Sequence, residues 1–179
     1  MGFSTQEYID AACEVARGPD KTKALRALLE NCLKDAPSVM EAISLGDEEE
    51  VMLHEDDSIS LWYCRFNPDV VMPPHEHKMT VHIGVLSGGE TNILYRREGD
   101  QLKHIKTKVV QPGEILSLGP DGIHAVSADG NEPSYALHIY EGPLMQVERS
   151  LFDWESGEKV EFTMENFYAM TKPSQGFTA

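Results

Sequence analysis

Three histidines offer the clearest chemistry in this sequence. His75 and His77 stand at positions i and i+2, and in a β-strand such side chains point to one face. His124 comes shortly after Gly122, where a glycine turn leads into an apolar strand. Imidazole suits Fe, Zn, Cu and Ni, and three neutral imidazoles leave the ion open coordination positions. We therefore predict that these histidines hold one catalytic transition metal.

The elements that must position these histidines begin with helices. Ser4 or Thr5 can cap a helix that runs to Ala16. A second helix is predicted over about 21–34, where leucines recur at spacings of three and four on one face. Pro37 fits the first turn of a short third helix. We expect these amphipathic helices to cover the outer face of a sheet.

Short strand-forming runs separated by turns follow from residue 50 onward. Val, Ile, Tyr and Phe are frequent in the runs, whereas Gly, Pro, Asn and Asp mark the turns. Besides the strands that carry the three histidines, strands are predicted at 51–54, 59–66, 80–86, 91–97, 102–110, 114–118, 135–140, 147–152 and 159–162. Many short strands at regular spacing favour a sandwich or barrel. The tail after Met170 is predicted to be loose.

The composition fits a single globular unit. The chain has 179 residues, of which 41% are hydrophobic and 25% are charged, so there is enough apolar material for one core. The change from helical to strand patterns divides the chain near residue 45. We therefore expect an N-terminal helical cap over residues 1–45, packed as part of one structural unit on a β-barrel domain over residues 46–179.

The net charge limits the partners of the protein. Thirty acidic residues against 15 basic ones give a net charge of −15, which disfavours nucleic acid and anionic membranes. Residues 1–10 lack a basic segment followed by an apolar one, so we expect no secretory signal. No apolar run approaches membrane-spanning length, so we expect no membrane partner. The scattered Cys13, Cys32 and Cys64 indicate reduced thiols and a cytoplasmic location.

Several short motifs, in this order along the chain, resemble those of the cupin superfamily. They are Pro74-His75-Glu76-His77, Ile83-Gly84-Val85-Leu86-Ser87-Gly88, Gly122-Ile123-His124, His138-Ile139-Tyr140 and Arg149. Within that superfamily the chain is most similar to the thiol dioxygenases, meaning cysteine dioxygenase and 3-mercaptopropionate dioxygenase. The resemblance implies an all-β cupin double-stranded β-helix (a jelly-roll barrel) with N-terminal helices. It also implies one Fe(II) bound by three histidines, with a small thiol-bearing acid and O₂ as substrates and a sulfinate as product.

The resemblance also implies roles for residues beside the metal. In the resembled enzymes a Ser-x-His-x-Tyr run forms a hydrogen-bonded relay, and here it matches Ala136, His138 and Tyr140. Tyr140 would donate a hydrogen bond to the reacting oxygen or the substrate, and His138 would orient it, whereas Ala136 lacks the hydroxyl of the outermost link. Arg149 matches the arginine that binds the substrate carboxylate. The alternatives are a solvated strand arginine for Arg149 and a core tyrosine for Tyr140. Arg65, Arg96 and Arg97 are competing candidates for the carboxylate.

Other functions remain open from the sequence. Many cupins have a fourth ligand after the histidine pair, and His82 stands in that region. Strict alternation from His77 turns His82 away from the metal unless a bulge intervenes, so a packing role is the alternative.

Two functions are alternatives to a thiol dioxygenase. One is another metal-dependent cupin enzyme, such as a lyase, an isomerase or a non-thiol oxygenase, and the other is a non-catalytic module that binds a small molecule. The acidic stretch 47–50 stands where cysteine dioxygenases carry an arginine, which argues against plain cysteine as substrate. The resemblance also allows a homodimer.

Overall fold

The structure is a computed structural model that describes residues 2–178. Its α-helices are α1 (Thr5–Ala16), α2 (Lys21–Leu33), α3 (Ala36–Ala42) and α4 (Met164–Met170). Its strands are β1 (Glu50–Glu55), β2 (Ser60–Phe66), β3 (Val70–Glu76), β4 (Val81–Ser87), β5 (Glu90–Glu98), β6 (Gln101–Val110), β7 (Ile115–Leu118), β8 (Ile123–Ala128), β9 (Ser134–Tyr140), β10 (Ser150–Phe152), β11 (Lys159–Glu161) and β12 (Lys172–Pro173). No helix within this range has both the length and the apolar character needed to cross a membrane.

The N-terminal helices form where the local sequence predicts them. The Ser4 side chain accepts a hydrogen bond from the backbone N–H of Glu7 and so caps α1. Pro37 lies in the first turn of α3, where its missing N–H has no helical partner to lose. The predicted helix bounds agree with the observed ones to within about one residue.

Two antiparallel sheets form the barrel. One has the strand order β1-β2-β9-β4-β7, and the other has the order β11-β10-β3-β8-β5-β6, with β12 also paired to β3. Residues of both sheets, such as Phe66 on β2 and Val126 on β8, pack in one buried cluster between the sheets. This arrangement is the cupin double-stranded β-helix, so the predicted fold class is confirmed.

The helical segment packs on the outer face of the first sheet. Leu25 and Leu29 on α2 share a buried cluster with Leu137 and Ile139 on β9. Gly84 on β4 allows this close approach, because a Cβ at that position would lie 2.8 Å from Leu29 Cγ. The apolar faces of the helices therefore cover the sheet, as their periodicity predicts.

The C-terminal region corrects two predictions. The strand predicted at 147–152 is limited to Ser150–Phe152, because residues 147–149 form a bend and irregular backbone after a 3₁₀ turn over 144–146. The prediction of a loose tail is wrong. Directly after α4, Lys172 and Pro173 form β12 and pair with β3. Trp154 Nε1 donates to the carbonyl of Met170 over 2.7 Å, which ties the tail to the barrel.

Candidate metal centre

The three histidines singled out in the sequence converge inside the barrel. His75 lies near the end of β3, His77 follows that strand, and His124 on β8 is the register partner of His75. One donor nitrogen from each ring lies within 4.8 Å of the other two, and all three side chains are buried. The structure therefore brings together three imidazoles in a group that could hold one metal ion.

Two of the imidazoles are held by acceptors on the side away from this group. His75 Nδ1 donates to the carbonyl oxygen of Pro73 over 2.9 Å, and His124 Nδ1 donates to Asn92 Oδ1 over 2.7 Å. Because each Nδ1 carries the proton, each Nε2 carries the lone pair that a metal needs. His124 Nε2 is buried and has no hydrogen-bond partner among residues 2–178, which fits a ligand atom.

The environment keeps these rings neutral. Burial lowers the pKa of His75 to about 4. Burial also lowers the pKa values of His77 and His124 well below the usual range, and the neighbouring ring of His75 adds to the effect. Neutral imidazole is the form that binds metals, so the group is ready to coordinate an ion at neutral pH.

A buried carboxylate lies behind His124, and sequence reasoning missed it. Asn92 Nδ2 donates to Glu90 Oε2 over 3.3 Å, so Glu90, Asn92 and His124 form one chain of contacts. The Glu90 side chain is fully buried, and burial raises its pKa to about 7. Glu90 and Asn92 stand at positions i and i+2 of a strand, so their side chains share one face. This polar pair is the sequence signal that could have identified both residues.

The predicted tyrosine and histidine relay also lies beside the metal group. Tyr140 Oη and His138 Nδ1 share a hydrogen bond of 3.0 Å, and the Tyr140 ring centroid lies 5.2 Å from that of His77. Burial raises the pKa of Tyr140 well above its usual range, so the phenol keeps its proton. Burial lowers the pKa of His138 to about 3, so its ring is neutral. Ala136 lies on the same strand face, fully buried and without a hydroxyl.

Arg149 lies in a cavity of about 640 Å³ whose lining also includes Phe162. The Arg149 guanidinium carbon lies 3.8 Å from the Phe162 ring centroid, and the same ring meets His75 edge-on at 6.1 Å. Arg149 forms no ion pair with a carboxylate within residues 2–178. A half-buried guanidinium in this position is available to an acidic ligand.

His82 belongs to a different group of residues. Its Nδ1 is 2.8 Å from Ser117 Oγ, and its Nε2 is 3.1 Å from Glu141 Oε1. His82 therefore contacts Ser117 and Glu141 and faces away from His77, as the alternation of side chains along a strand predicts. It takes no part in the group formed by the other three histidines.

The fold is a double-stranded β-helix, and its three-histidine group could hold a metal ion. No protein-family model matches the chain. Similar solved structures include the DMSP lyase DddQ from Ruegeria pomeroyi, with 17% identity, a TM-score of 0.48, and coverage of 81% of this chain and 77% of that one. They also include a conserved protein with a double-stranded β-helix domain from Klebsiella pneumoniae, with 16% identity, a TM-score of 0.46, and coverage of 63% and 87%. A cupin superfamily protein from Desulfitobacterium hafniense has 16% identity, a TM-score of 0.43, and coverage of 56% and 84%. Similarities this low carry no information on reaction or substrate.

Proposed function

We propose that the protein is an Fe(II)-dependent dioxygenase that oxidises a small thiol-bearing acid to its sulfinate. The observation that supports the proposal is the convergence of three buried, neutral imidazoles beside a hydrogen-bonded Tyr140–His138 pair. Three protein ligands leave room at the ion for other molecules, which is the property of a catalytic rather than a structural site. Fe(II) held there would supply the redox chemistry with O₂, both of whose oxygen atoms end on the substrate sulfur.

Tyr140 is the proposed hydrogen-bond donor of the reaction. Its phenol keeps its proton because burial raises its pKa, so at neutral pH it offers an O–H rather than a phenolate. His138 contacts the same hydroxyl oxygen and restricts its rotation. A fixed O–H directed at the oxygen that develops charge stabilises that charge without reorganisation of solvent.

Arg149 is the proposed partner of the substrate carboxylate. Its planar guanidinium can bind a carboxylate through two parallel hydrogen bonds. The Phe162 ring supports one face of the guanidinium and also contacts His75. A substrate with a thiol at one end and a carboxylate at the other could then span from the metal group to Arg149.

The test is metal reconstitution combined with O₂ uptake. The purified protein is stripped of metal, loaded with Fe(II), Zn(II) or Mn(II), and offered cysteine, 3-mercaptopropionate and cysteamine. We expect thiol-dependent O₂ uptake with Fe(II) only, and a sulfinate product by mass spectrometry. His77→Ala should abolish both Fe(II) retention by the three-histidine group and O₂ uptake, whereas His104→Ala, a change at an exposed histidine, should preserve both. Tyr140→Phe should retain iron but lower kcat by roughly 10²–10⁴-fold, and the exposed Tyr168→Phe is its control.

Two results would contradict the proposal and favour its alternatives. Turnover by the Zn(II) or Mn(II) form without O₂ would indicate a lyase or isomerase, with Tyr140 in a general-base role. Ligand binding without turnover for any metal would indicate a non-catalytic binding module.

A further inference from the structure

A second group of side chains that could hold a metal ion lies outside the barrel, where α1 meets β1. It consists of Cys13 on α1, His54 on β1 and Asp56 in the following turn, and their donor atoms lie within 4.8 Å of one another. Cys13 Sγ is 3.2 Å from His54 Nε2, and Asp56 Oδ2 is 3.5 Å from the same nitrogen. All three side chains are half-buried, so water can reach the group.

The geometry differs from that of a Cys-His-Asp catalytic triad. In a triad the nucleophile and the carboxylate contact opposite nitrogens of the imidazole. Here the sulfur and the carboxylate oxygen both face Nε2 of His54. A tetrahedral zinc ion with Zn–S of about 2.3 Å and Zn–N of about 2.0–2.1 Å has S···N and N···O edges of about 3.4–3.5 Å. The observed S···N and N···O separations of 3.2 and 3.5 Å are close to these edges, and the sulfur and the carboxylate oxygen lie within 4.8 Å of each other, so the group is compact enough for one such ion.

The carboxylate is already fixed for this role. Asp56 Oδ1 accepts hydrogen bonds from Ser58 N, Ser58 Oγ and Ile59 N, which orient the group and leave Oδ2 to face His54. The hydrogen bond from the Ser58 hydroxyl is the main cause that lowers the pKa of Asp56 to about 2, so the carboxylate is ionised. Because the carboxylate is already fixed, it would lose little conformational entropy when an ion binds.

Arg17 is the group that opposes a cation here. Its Nη2 lies 3.1 Å from Asp56 Oδ2, so in the absence of metal it supplies the positive charge that faces the carboxylate. The Arg17 side chain is 67% exposed, so it can turn into solvent when an ion takes its place. The structure therefore identifies a residue whose removal should strengthen, rather than weaken, metal binding at this group.

We propose that Cys13, His54 and Asp56 bind a divalent zinc ion between the first helix and the first strand of the barrel, with water as the fourth ligand. A thiolate, an imidazole and a carboxylate form a ligand set that suits Zn²⁺. Binding replaces the thiol proton of Cys13, which leaves to solvent. The site is independent of the three-histidine centre, which has no sulfur ligand.

Co²⁺ is the probe that separates the two centres. A thiolate ligand gives a sulfur-to-cobalt charge-transfer absorption band, whereas three imidazoles give none. We expect the full chain to show this band on Co²⁺ addition, and Zn²⁺ to abolish it by displacement. Cys13→Ser should remove the band, and His54→Gln should weaken Co²⁺ binding by more than the roughly 10–100-fold typical of outer-shell changes. Cys64→Ser, a change at a buried cysteine of the barrel, should retain the band and serve as the matched control.

Two further measurements complete the test. Arg17→Gln should tighten Zn²⁺ binding, and Zn²⁺ should raise the Tm of the parent protein more than that of Cys13→Ser. The proposal is overturned if the charge-transfer band persists in Cys13→Ser, if no such band forms in the parent protein, or if Arg17→Gln weakens binding. Loss of the three-histidine centre in His77→Ala should leave the band in place, so failure of the proposed reaction and failure of this site give different results.

Discussion

Glu90 offers a direct test of the electrostatics behind the three-histidine group. Its side chain is fully buried, its Oε1 has no hydrogen-bond partner within residues 2–178, and its Oε2 accepts from Asn92. Glu90→Gln replaces the carboxyl group by a neutral amide of the same shape, whose carbonyl oxygen can still accept the hydrogen bond from Asn92. The substitution therefore removes the ionisation and little else.

The size and sign of the effect follow from the pKa of Glu90. Burial raises this pKa from 4.5 to about 7, and each unit corresponds to about 1.4 kcal/mol, so ionisation costs the folded state about 3 kcal/mol. Between these two values the folded state binds more protons than the unfolded state, so the contribution of Glu90 to stability falls as the pH rises. It is lost once the pH exceeds about 7. Glu90→Gln should lack this loss.

The assay is urea unfolding of metal-free parent protein and Glu90→Gln at several pH values between about 4.5 and 8. The difference in the free energy of unfolding, variant minus parent, should increase by about 3 kcal/mol across this range. In this range the three histidines of the group titrate only in the unfolded chain, because burial lowers their pKa values in the folded protein, and this contribution is common to both proteins. A difference that stays constant with pH would refute the reasoning, because Glu90 would then ionise as it does in the unfolded chain. With metal bound, the nearby positive charge should reduce the difference.

Three further substitutions test the site and the packing. Asn92→Ala removes the acceptor for His124 Nδ1, and metal affinity measured by chelator competition should fall by roughly 10–100-fold, whereas unchanged affinity would contradict this role. Arg149→Ala should raise KM for 3-mercaptopropionate by roughly 10–100-fold but leave KM for cysteamine, which lacks a carboxylate, unchanged; equal effects on both would exclude carboxylate binding. Gly84→Ala should destabilise the protein by about 1–3 kcal/mol in chemical unfolding, because the new methyl group would overlap Leu29. A neutral result there would mean that α2 can move outward at little cost.

The features that sequence reasoning identified are those encoded by local pattern. The spacing of His75 and His77 matches the alternation of side chains along a strand. The cap at Ser4 and the proline at position 37 mark the starts of helices. The glycine turn before His124 likewise predicts a strand that begins there. Each of these signals is contained within a few residues, so no knowledge of the fold is needed to recognise it.

The features that sequence reasoning missed depend on residues that are distant along the chain. Asn92 meets His124 across 32 positions, and Cys13 meets His54 across 41. Lys172 pairs with the edge of strand β3, and that edge is in place only when the barrel has formed. Local patterns show which residues are polar or apolar, but these contacts are determined by strand order and helix docking.

The pairing of β12 with β3 has a consequence for the order of events during synthesis. β3 carries His75, and its outer edge is hydrogen-bonded to β10 and to β12. The backbone groups on that edge therefore lack their full set of partners until Pro173 has left the ribosome. The strand that carries the first of the three histidines is thus completed only after the chain has been synthesised through Pro173, so the three-histidine group is expected to become rigid at that late stage.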